Sequence, residues 1–310
     1  MVYSENVVKL LALKECGYLR TNTQFWRDFS NQTLIDDYIE KHEDVNLKIQ
    51  QLKEEFDASD NFEYGILCVF DEEFPCINPR AKESEKPYLL FYRGDKALLQ
   101  NLNNNIAVIG LIDPTDNIEE RERKIVGKLI SNNLVIVSGL AKGCDEIAHR
   151  VCVENKAKTI AVLPTSLAKI APASNRLLAE EIVENGGVLI TEYYKEATSR
   201  NEAVGRYIER DRLQALFSKA VIMIASYKQG EGDSGSRHAM KYAESFLINR
   251  YIMYNEETDS ADKRFGLSRQ LKLQSGVTIL TPYHIEELKT LFNQNLTRKV
   301  FDVPQQLTLI

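Results

Sequence analysis

Several things are scarce in this sequence, and each shortage excludes something. The five cysteines (Cys16, Cys68, Cys76, Cys144, Cys152) are odd in number and never spaced C-x-x-C. That argues against a disulfide framework or a zinc site and makes a reducing cytoplasm the expected compartment. No stretch reaches the ~18 consecutive apolar residues of a membrane helix, so no membrane partner is expected. The start, MVYSENVVKLLALKECGYL, lacks the basic n-region and small-residue cleavage site of a signal peptide. Positive charge is not in excess: the net charge is −6. A surface coated in base is thereby excluded, but a local basic groove is not. There is no G-x-x-x-x-G-K-[ST] phosphate loop. After the run IAVIG, the loop GLIDPTDN offers only Gly110 where a dinucleotide fold would show G-x-G-x-x-G. No NAD, FAD or other cofactor is expected.

What is present is a substantial core. The chain has 310 residues, 44% of them hydrophobic, enough for one large domain with an appendage or for two domains. Residues 1–60 read as an N-terminal helical domain, with apolar residues at three- and four-residue spacing in NVVKLLALKECGYL and TLIDDYIEKHEDVNLKIQQLKEEF. DASDN at 57–61 reads as a linker. Over 61–295 short apolar runs alternate with helical patterns, and 296–310 reads as a C-terminal tail. The runs are ILCVF (66–70), YLLFY (88–92), IAVIG (106–110), LVIVSG (134–139), TIAVLP (159–164), GVLIT (187–191), AVIMIA (220–225), YIMYN (251–255) and VTIL (277–280). Helices are expected near 118–133, 143–156, 175–185, 206–217, 235–248 and 283–292. Runs that are apolar throughout imply strands covered on both faces, and alternation with helices implies a mainly parallel α/β sheet. Ligands of such sheets bind at the carboxyl ends of the strands, near the topological switch point.

Three stretches fall there. In SGLAKGCD, Ser138 and Gly139 stand at a strand end and Gly143 opens the next helix. Glycine admits a close ligand, and a helix N-terminus offers N–H groups to an anion. A phosphate cradle and a plain tight turn both fit. Asp145 and His149 lie one turn apart on that helix and have the types of an acid–base pair. The favoured reading is structural, with Asp145 at the helix start and His149 in a satisfied hydrogen bond, so no catalytic residue is expected.

Second, Arg206, Arg210 and Arg212 cluster at the start of a helix that runs into a buried strand. From Arg206 to Lys241 seven Lys/Arg face four Asp/Glu, a basic segment in an acidic chain. Arginine forks suit phosphates, and pairing with Glu209 and Asp211 is the competing reading. Third, SYKQGEGDSGSRHAM sets Gly230, Gly232, Ser234, Gly235 and Ser236 ahead of a helix, a second anion cradle on the same sheet edge. Asn175 and Glu192 are weaker candidates, and His42 and His284 read as surface residues. Tyr193, Tyr194, Tyr207 and Tyr227 are the stacking candidates, with ordinary packing as the alternative.

In order along the chain, these residues resemble the DNA-processing protein A family, also called Smf, over roughly residues 62–255. SGLAKGCDEIAHR is similar to the family's Ser-Gly-x-Ala-x-Gly-x-Asp-x-x-Ala-His signature and is the most specific match. PYLLFYRGD, TIAVLPTSLAKIAPASNRLLAEEI, LITEY, RYIERDRLQALFSKAVIMIA and GDSGSRHAMKYA follow the family's order and spacing. The resemblance implies an extended Rossmann-like fold with helices on both faces of the sheet. It implies single-stranded DNA binding as a homodimer, loading of a RecA-type recombinase in natural transformation, and no enzymatic activity. It places Ser138, Gly139, Asn175, Arg210, Arg212, Ser234 and Gly235 in a DNA-phosphate pocket. The loop reading adds Gly110, Gly143, Arg206, Ser236 and Arg237. The sequence also departs from the family. Ile112 stands where the family has a phosphate-contacting arginine, YIERDR carries an extra acid at Asp211, and Arg237 is an added base. No winged-helix tail is read after residue 295. These departures fit a divergent member in a mobile-element or defence setting.

Two other functions compete. The same superfamily holds nucleotide-ligand sensors and phosphoribohydrolases. The latter carry Pro-Gly-Gly-x-Gly-Thr-x-x-Glu, whereas GEGDSGSRHAM has the glycines without the glutamate. That favours a sensor over a hydrolase, and a thermal-shift panel of nucleotides would reveal it. The last reading is a purely interacting protein whose N-terminal helices dock a partner, tested by removing residues 1–60 and looking for lost self-association.

Overall fold

The structure, a computed structural model, describes residues 2–58, 64–232 and 235–294, the side chains of 289–294 excepted. Ser234, residues 59–61 of the linker and the tail 296–310 lie outside the described residues.

Four helices come first: α1 (Glu5–Glu15), α2 (Asn22–Asp28), α3 (Gln32–Glu40) and α4 (Glu43–Asp57). The first three start at side chains that accept from a free amide. Ser4 accepts from the Val7 N–H, Thr21 from Gln24 and Asn31 from Thr33. Each of the nine apolar runs then carries a strand. These are β1 (Tyr64–Cys68), β2 (Leu89–Gly94), β3 (Asn105–Ile109), β4 (Val135–Ser138), β5 (Thr159–Val162), β6 (Val188–Thr191), β7 (Ala220–Met223), β8 (Asn249–Ile252) and β9 (Val277–Ile279). They form one sheet in the order β1-β2-β6-β5-β4-β3-β7-β8-β9. Only β2 runs against its neighbours, pairing antiparallel with β1 and β6. The helices between strands are α5 (Asp116–Ser131), α6 (Cys144–Glu154), α7 (Arg176–Glu184), α8 (Arg200–Leu216), α9 (Ser236–Ser245), α10 (Glu256–Asp259), α11 (Gly266–Leu271) and α12 (Pro282–Gln294).

Successive strand residues point to opposite faces, and two cores divide them accordingly. Ile160 and Val162 of β5 and Val188 and Ile190 of β6 join the larger core with α5, α6, α8 and α9. Their alternates Ala161 and Leu189 join a second core with α7 and all four N-terminal helices. In β3 every residue from Ile106 to Ile109 belongs to the larger core, so the sheet centre is covered on both sides. His42 and His284, read as surface residues, are half-buried; the His42 ring stacks on Tyr38 at 4.0 Å. No helix among the described residues is long and apolar enough to cross a membrane.

From β3 the chain steps through β4, β5 and β6 on one side, then crosses to β7, β8 and β9 on the other. The switch point is therefore the crevice at the carboxyl ends of β3 and β7. One helix departs from expectation in a way that matters there. α8 starts at Arg200, six residues before Arg206. Ser199 caps it by accepting from the Glu202 N–H at 3.1 Å, in an S-x-x-E pattern. Arg206, Arg210 and Arg212 thus lie inside the helix, where its positive end does not reach them.

Candidate functional site

A cavity of about 530 Å³ opens at the switch point. The end of β3, the loop before α6, the inner side of α8 and the start of α9 form its walls. Five of the expected site residues line it: Gly110, Arg210, Gly235, Ser236 and Arg237. Lys142, between the two glycines of SGLAKGCD, also lines it and is exposed. A lysine between two loop glycines at a strand end is a legible signal that the sequence reading passed over.

The two glycines of that loop lie beneath the cavity and make room for protein. A Cβ on Gly139 would stand 1.6 Å from Nη1 of Arg210. The Gly139 N–H donates to Asp145 Oδ2 at 3.1 Å. Arg210 Nη1 lies 3.6 Å from that same oxygen and 3.5 Å from Asp211 Oδ1. Burial pushes the Asp145 carboxyl up, and the neighbouring Arg210 guanidinium pulls it back. Gly139 therefore serves an internal carboxylate and arginine, and its amide is already used. Gly143 has φ +77, and its Cβ would meet the Leu111 carbonyl oxygen at 2.3 Å. The Cys144 N–H donates to that oxygen at 2.8 Å, so the first amide of α6 is also used.

Four other expected residues are drawn elsewhere. Ser138 is fully buried and donates to the Val108 carbonyl at 2.6 Å. Asn175, also buried, donates to the carbonyls of Leu140 at 3.0 Å and Ala141 at 3.4 Å, tying down the glycine loop. Arg206 reaches the Lys195 carbonyl and Glu202 at 2.7 and 2.6 Å and lies 4.3 Å above the Tyr193 ring. Arg212 pairs with Glu192 at 2.6 Å. It faces a separate cavity of about 540 Å³, bordered by Lys14, Tyr88 and Glu192. Buried arginines need such partners; Glu202 lies one turn away on α8, whereas Lys195 and Glu192 come from outside that helix.

The α9 end of the cavity is different. α9 has ten residues and starts at Gly235 and Ser236, both in the cavity wall. Ser236 Oγ donates to the Gly110 carbonyl at 3.1 Å, joining α9 to the end of β3. The positive end of the helix thus opens on the cavity beside Arg237. Among the described residues neither Arg237 nor Lys142 has an ion-pair partner, whereas Arg210 has two. Among the described lining residues, Lys142, Arg210 and Arg237 outnumber the carboxylates Asp145 and Asp211.

Asp145 and His149 do not hydrogen-bond to each other. His149 Nδ1 lies 2.9 Å from Thr159 Oγ1, which itself donates to the Ile136 carbonyl. The ring therefore donates from Nδ1. Burial lowers its pKa to about 3, so it is neutral at physiological pH.

Comparison with known proteins adds a family. The chain matches the family described as DNA recombination-mediator protein A over residues 65–281. Protein Smf of Synechocystis is 35% identical over 171 residues, covering 54% of this chain and 41% of that protein. The DNA processing protein DprA of Streptococcus pneumoniae is 38% identical over 109 residues, 35% of this chain and 37% of its own length. The chain thus spans less than half the length of these two relatives. Among solved structures, DNA processing protein A from Streptococcus pneumoniae superposes with a TM-score of 0.69 at 21% identity, over 93% of this chain and 98% of that one. It shows the shared fold. The Helicobacter pylori protein, whose structure is described for its single-stranded DNA binding mode, gives 0.59 at 26% identity, over 76% of this chain and 98% of that one.

Proposed function

The chain belongs to the DNA recombination-mediator protein A family, and on that footing we propose that its switch-point cavity holds the backbone of single-stranded DNA. The observation that carries this reading is the meeting of Lys142, Arg237 and the start of α9 in one cavity at the carboxyl ends of β3 and β7. Among the described residues, Lys142 and Arg237 have no ion-pair partner. Phosphate oxygens are the acceptors such a group suits. Arg210 supports the wall from behind, held by Asp145 and Asp211. Ser138, Gly139, Gly143 and Asn175 shape the loop rather than touch the strand, and Ser236 fixes α9 to it. The protein acts by binding, with no chemical step, as a homodimer that presents the strand to a RecA-type recombinase in the cytoplasm. A free mononucleotide is the second reading, favoured by a cavity volume in the range of small-molecule sites.

The test is binding of a labelled oligonucleotide, single-stranded against duplex, over a salt series. Lys142→Ala and Arg237→Ala are the informative variants, because Arg210→Ala would also break an internal ion pair. Each should weaken binding and flatten the plot of log K against log salt by about 0.7 per lost contact. Binding with the wild-type slope in both variants would refute the proposed contacts. No binding at low salt, with a nucleotide raising thermal stability, would favour the second reading.

A further inference from the structure

The second cavity, of about 540 Å³, has no part in the function proposed above. It shares no lining residue with the switch-point cavity, and α8 divides the two, with Arg210 on one side and Arg212 on the other. Its walls come from the end of α1, the turn before α2, the segment before β2, the segment after β6 and one side of α8. It thus lies where the N-terminal helices meet the carboxyl end of β6, the kind of junction where ligand sites are common.

Two donors in its wall are unused. The Tyr88 side chain is buried, yet its hydroxyl has no hydrogen-bond partner among the described residues. A buried hydroxyl in that state is costly. Its ring is held in place by Phe25, stacked at 4.5 Å. Lys14 Nζ stands 5.7 Å from the centre of the same ring, half-buried. Burial lowers the Lys14 pKa, and the nearby Glu192 carboxylate works against that. An ammonium and a hydroxyl side by side call for an anion.

The rest of the wall says which kind. Arg212 and Glu192 pair at 2.6 Å and offset each other. That leaves Lys14 and Arg20 as cations and Glu85 and Glu209 as carboxylates, none of the four with an ion-pair partner among the described residues. Glu85 accepts from the Lys82 N–H at 2.7 Å and Glu209 from the Tyr193 hydroxyl at 2.6 Å, each through Oε2, so Oε1 of each is open to another donor. A doubly charged phosphate would be opposed by the carboxylates in the wall, whereas a ligand with one negative and one positive group answers both halves. We propose that this cavity binds a small zwitterion, an amino acid, whose carboxylate meets Lys14 and the Tyr88 hydroxyl and whose protonated amine faces Glu85 and Glu209. The site is independent of the DNA-binding reading and stands or falls apart from it.

The experiment uses the full chain, thermal melting and isothermal titration calorimetry. The probes are the standard L-amino acids, one at a time, with acetate, methylammonium and inorganic phosphate as controls that carry one sign of charge. At least one amino acid should raise the melting temperature and bind in one-to-one ratio, and the controls should do neither. Tyr88→Phe removes only an oxygen. Without ligand it should melt no lower than wild type, because the hydroxyl it deletes has no partner; with that amino acid it should bind roughly tenfold more weakly. Lys14→Met and Glu209→Gln should each weaken binding as well, one at either end of the ligand. No response to any amino acid would overturn the proposal. Acetate or phosphate binding as well as the best amino acid would overturn the zwitterion. Wild-type affinity in both Tyr88→Phe and Lys14→Met would place the amino acid elsewhere and overturn the site.

Discussion

Gly139→Ala tests whether a glycine in a ligand-binding loop serves the ligand or the protein. Its φ lies outside the left-handed region, so alanine meets no backbone penalty there. The obstacle is space: the new Cβ would stand 1.6 Å from Nη1 and 2.2 Å from Cζ of Arg210. Ordinary contact needs about 3.5 Å, so the guanidinium must retreat by roughly 2 Å. It already lies 3.6 Å from Asp145, and the retreat leaves that carboxylate, 7% exposed, without its counter-charge. Losing one partner of a buried pair costs ~3–5 kcal/mol, and the long contact here argues for about 3 kcal/mol. In an Arg210→Ala background the space is empty, so adding Gly139→Ala should cost less than about 0.5 kcal/mol more. Urea unfolding of the wild type, both single variants and the double variant gives all four corners of the cycle. Additive costs would refute the reasoning, since they would show that the methyl group and the guanidinium do not compete for one volume.

Gly143→Ala should behave differently. Its φ of +77 and the backbone atoms of Leu111 and Ile112 at 2.3 and 2.6 Å cannot yield. A loss of about 3 kcal/mol is expected by urea unfolding, unrelieved by Arg210→Ala, and full relief in that background would contradict it. His149 provides a pH test. Burial lowers its folded pKa to about 3, so below the unfolded value of about 6.5 only the unfolded chain gains a proton. Stability is therefore lost as pH falls from about 6.5 toward 3, by about 2 kcal/mol at pH 5. The fall in unfolding free energy from pH 7 to pH 5 should shrink by about that amount in His149→Gln. An equal fall in both proteins would sink the assignment.

The sheet was legible because its strands are covered on both faces. IAVIG and AVIMIA need no polar alternation, and their flanking turns mark their ends. The strand order was not legible, since nothing in YLLFY says that β2 lies antiparallel between β1 and β6. At the site, the glycine loops and the start of α9 were found by their position after strands. The arginines were misread in two ways. Ser199 and Glu202 start α8 earlier than the arginines suggested. Residues two apart on a helix also point about 200° from each other, so Arg210 and Arg212 could not share one cavity. Asp211, the neighbour expected to compete for these arginines, does pair with Arg210, whereas Asp145 and Glu192 come from other elements, and only the fold brings them near. Lys142 carried its signal openly, between two glycines.

The second core reaches across from the N-terminal helices to the sheet. Val7, Leu10 and Phe25 are wholly buried and share one cluster with Phe91 of β2 and Leu189 of β6. Phe25 stacks on Tyr88 at 4.5 Å. Helices and sheet are thus interdependent in folding and should melt in a single cooperative transition. A chain cut after residue 58 would expose a broad oily face of the sheet to water, a surface prone to nonspecific clumping. Oligomers seen in such a fragment would report that stripped face, and the proposed dimer is to be tested by point substitutions in the whole chain.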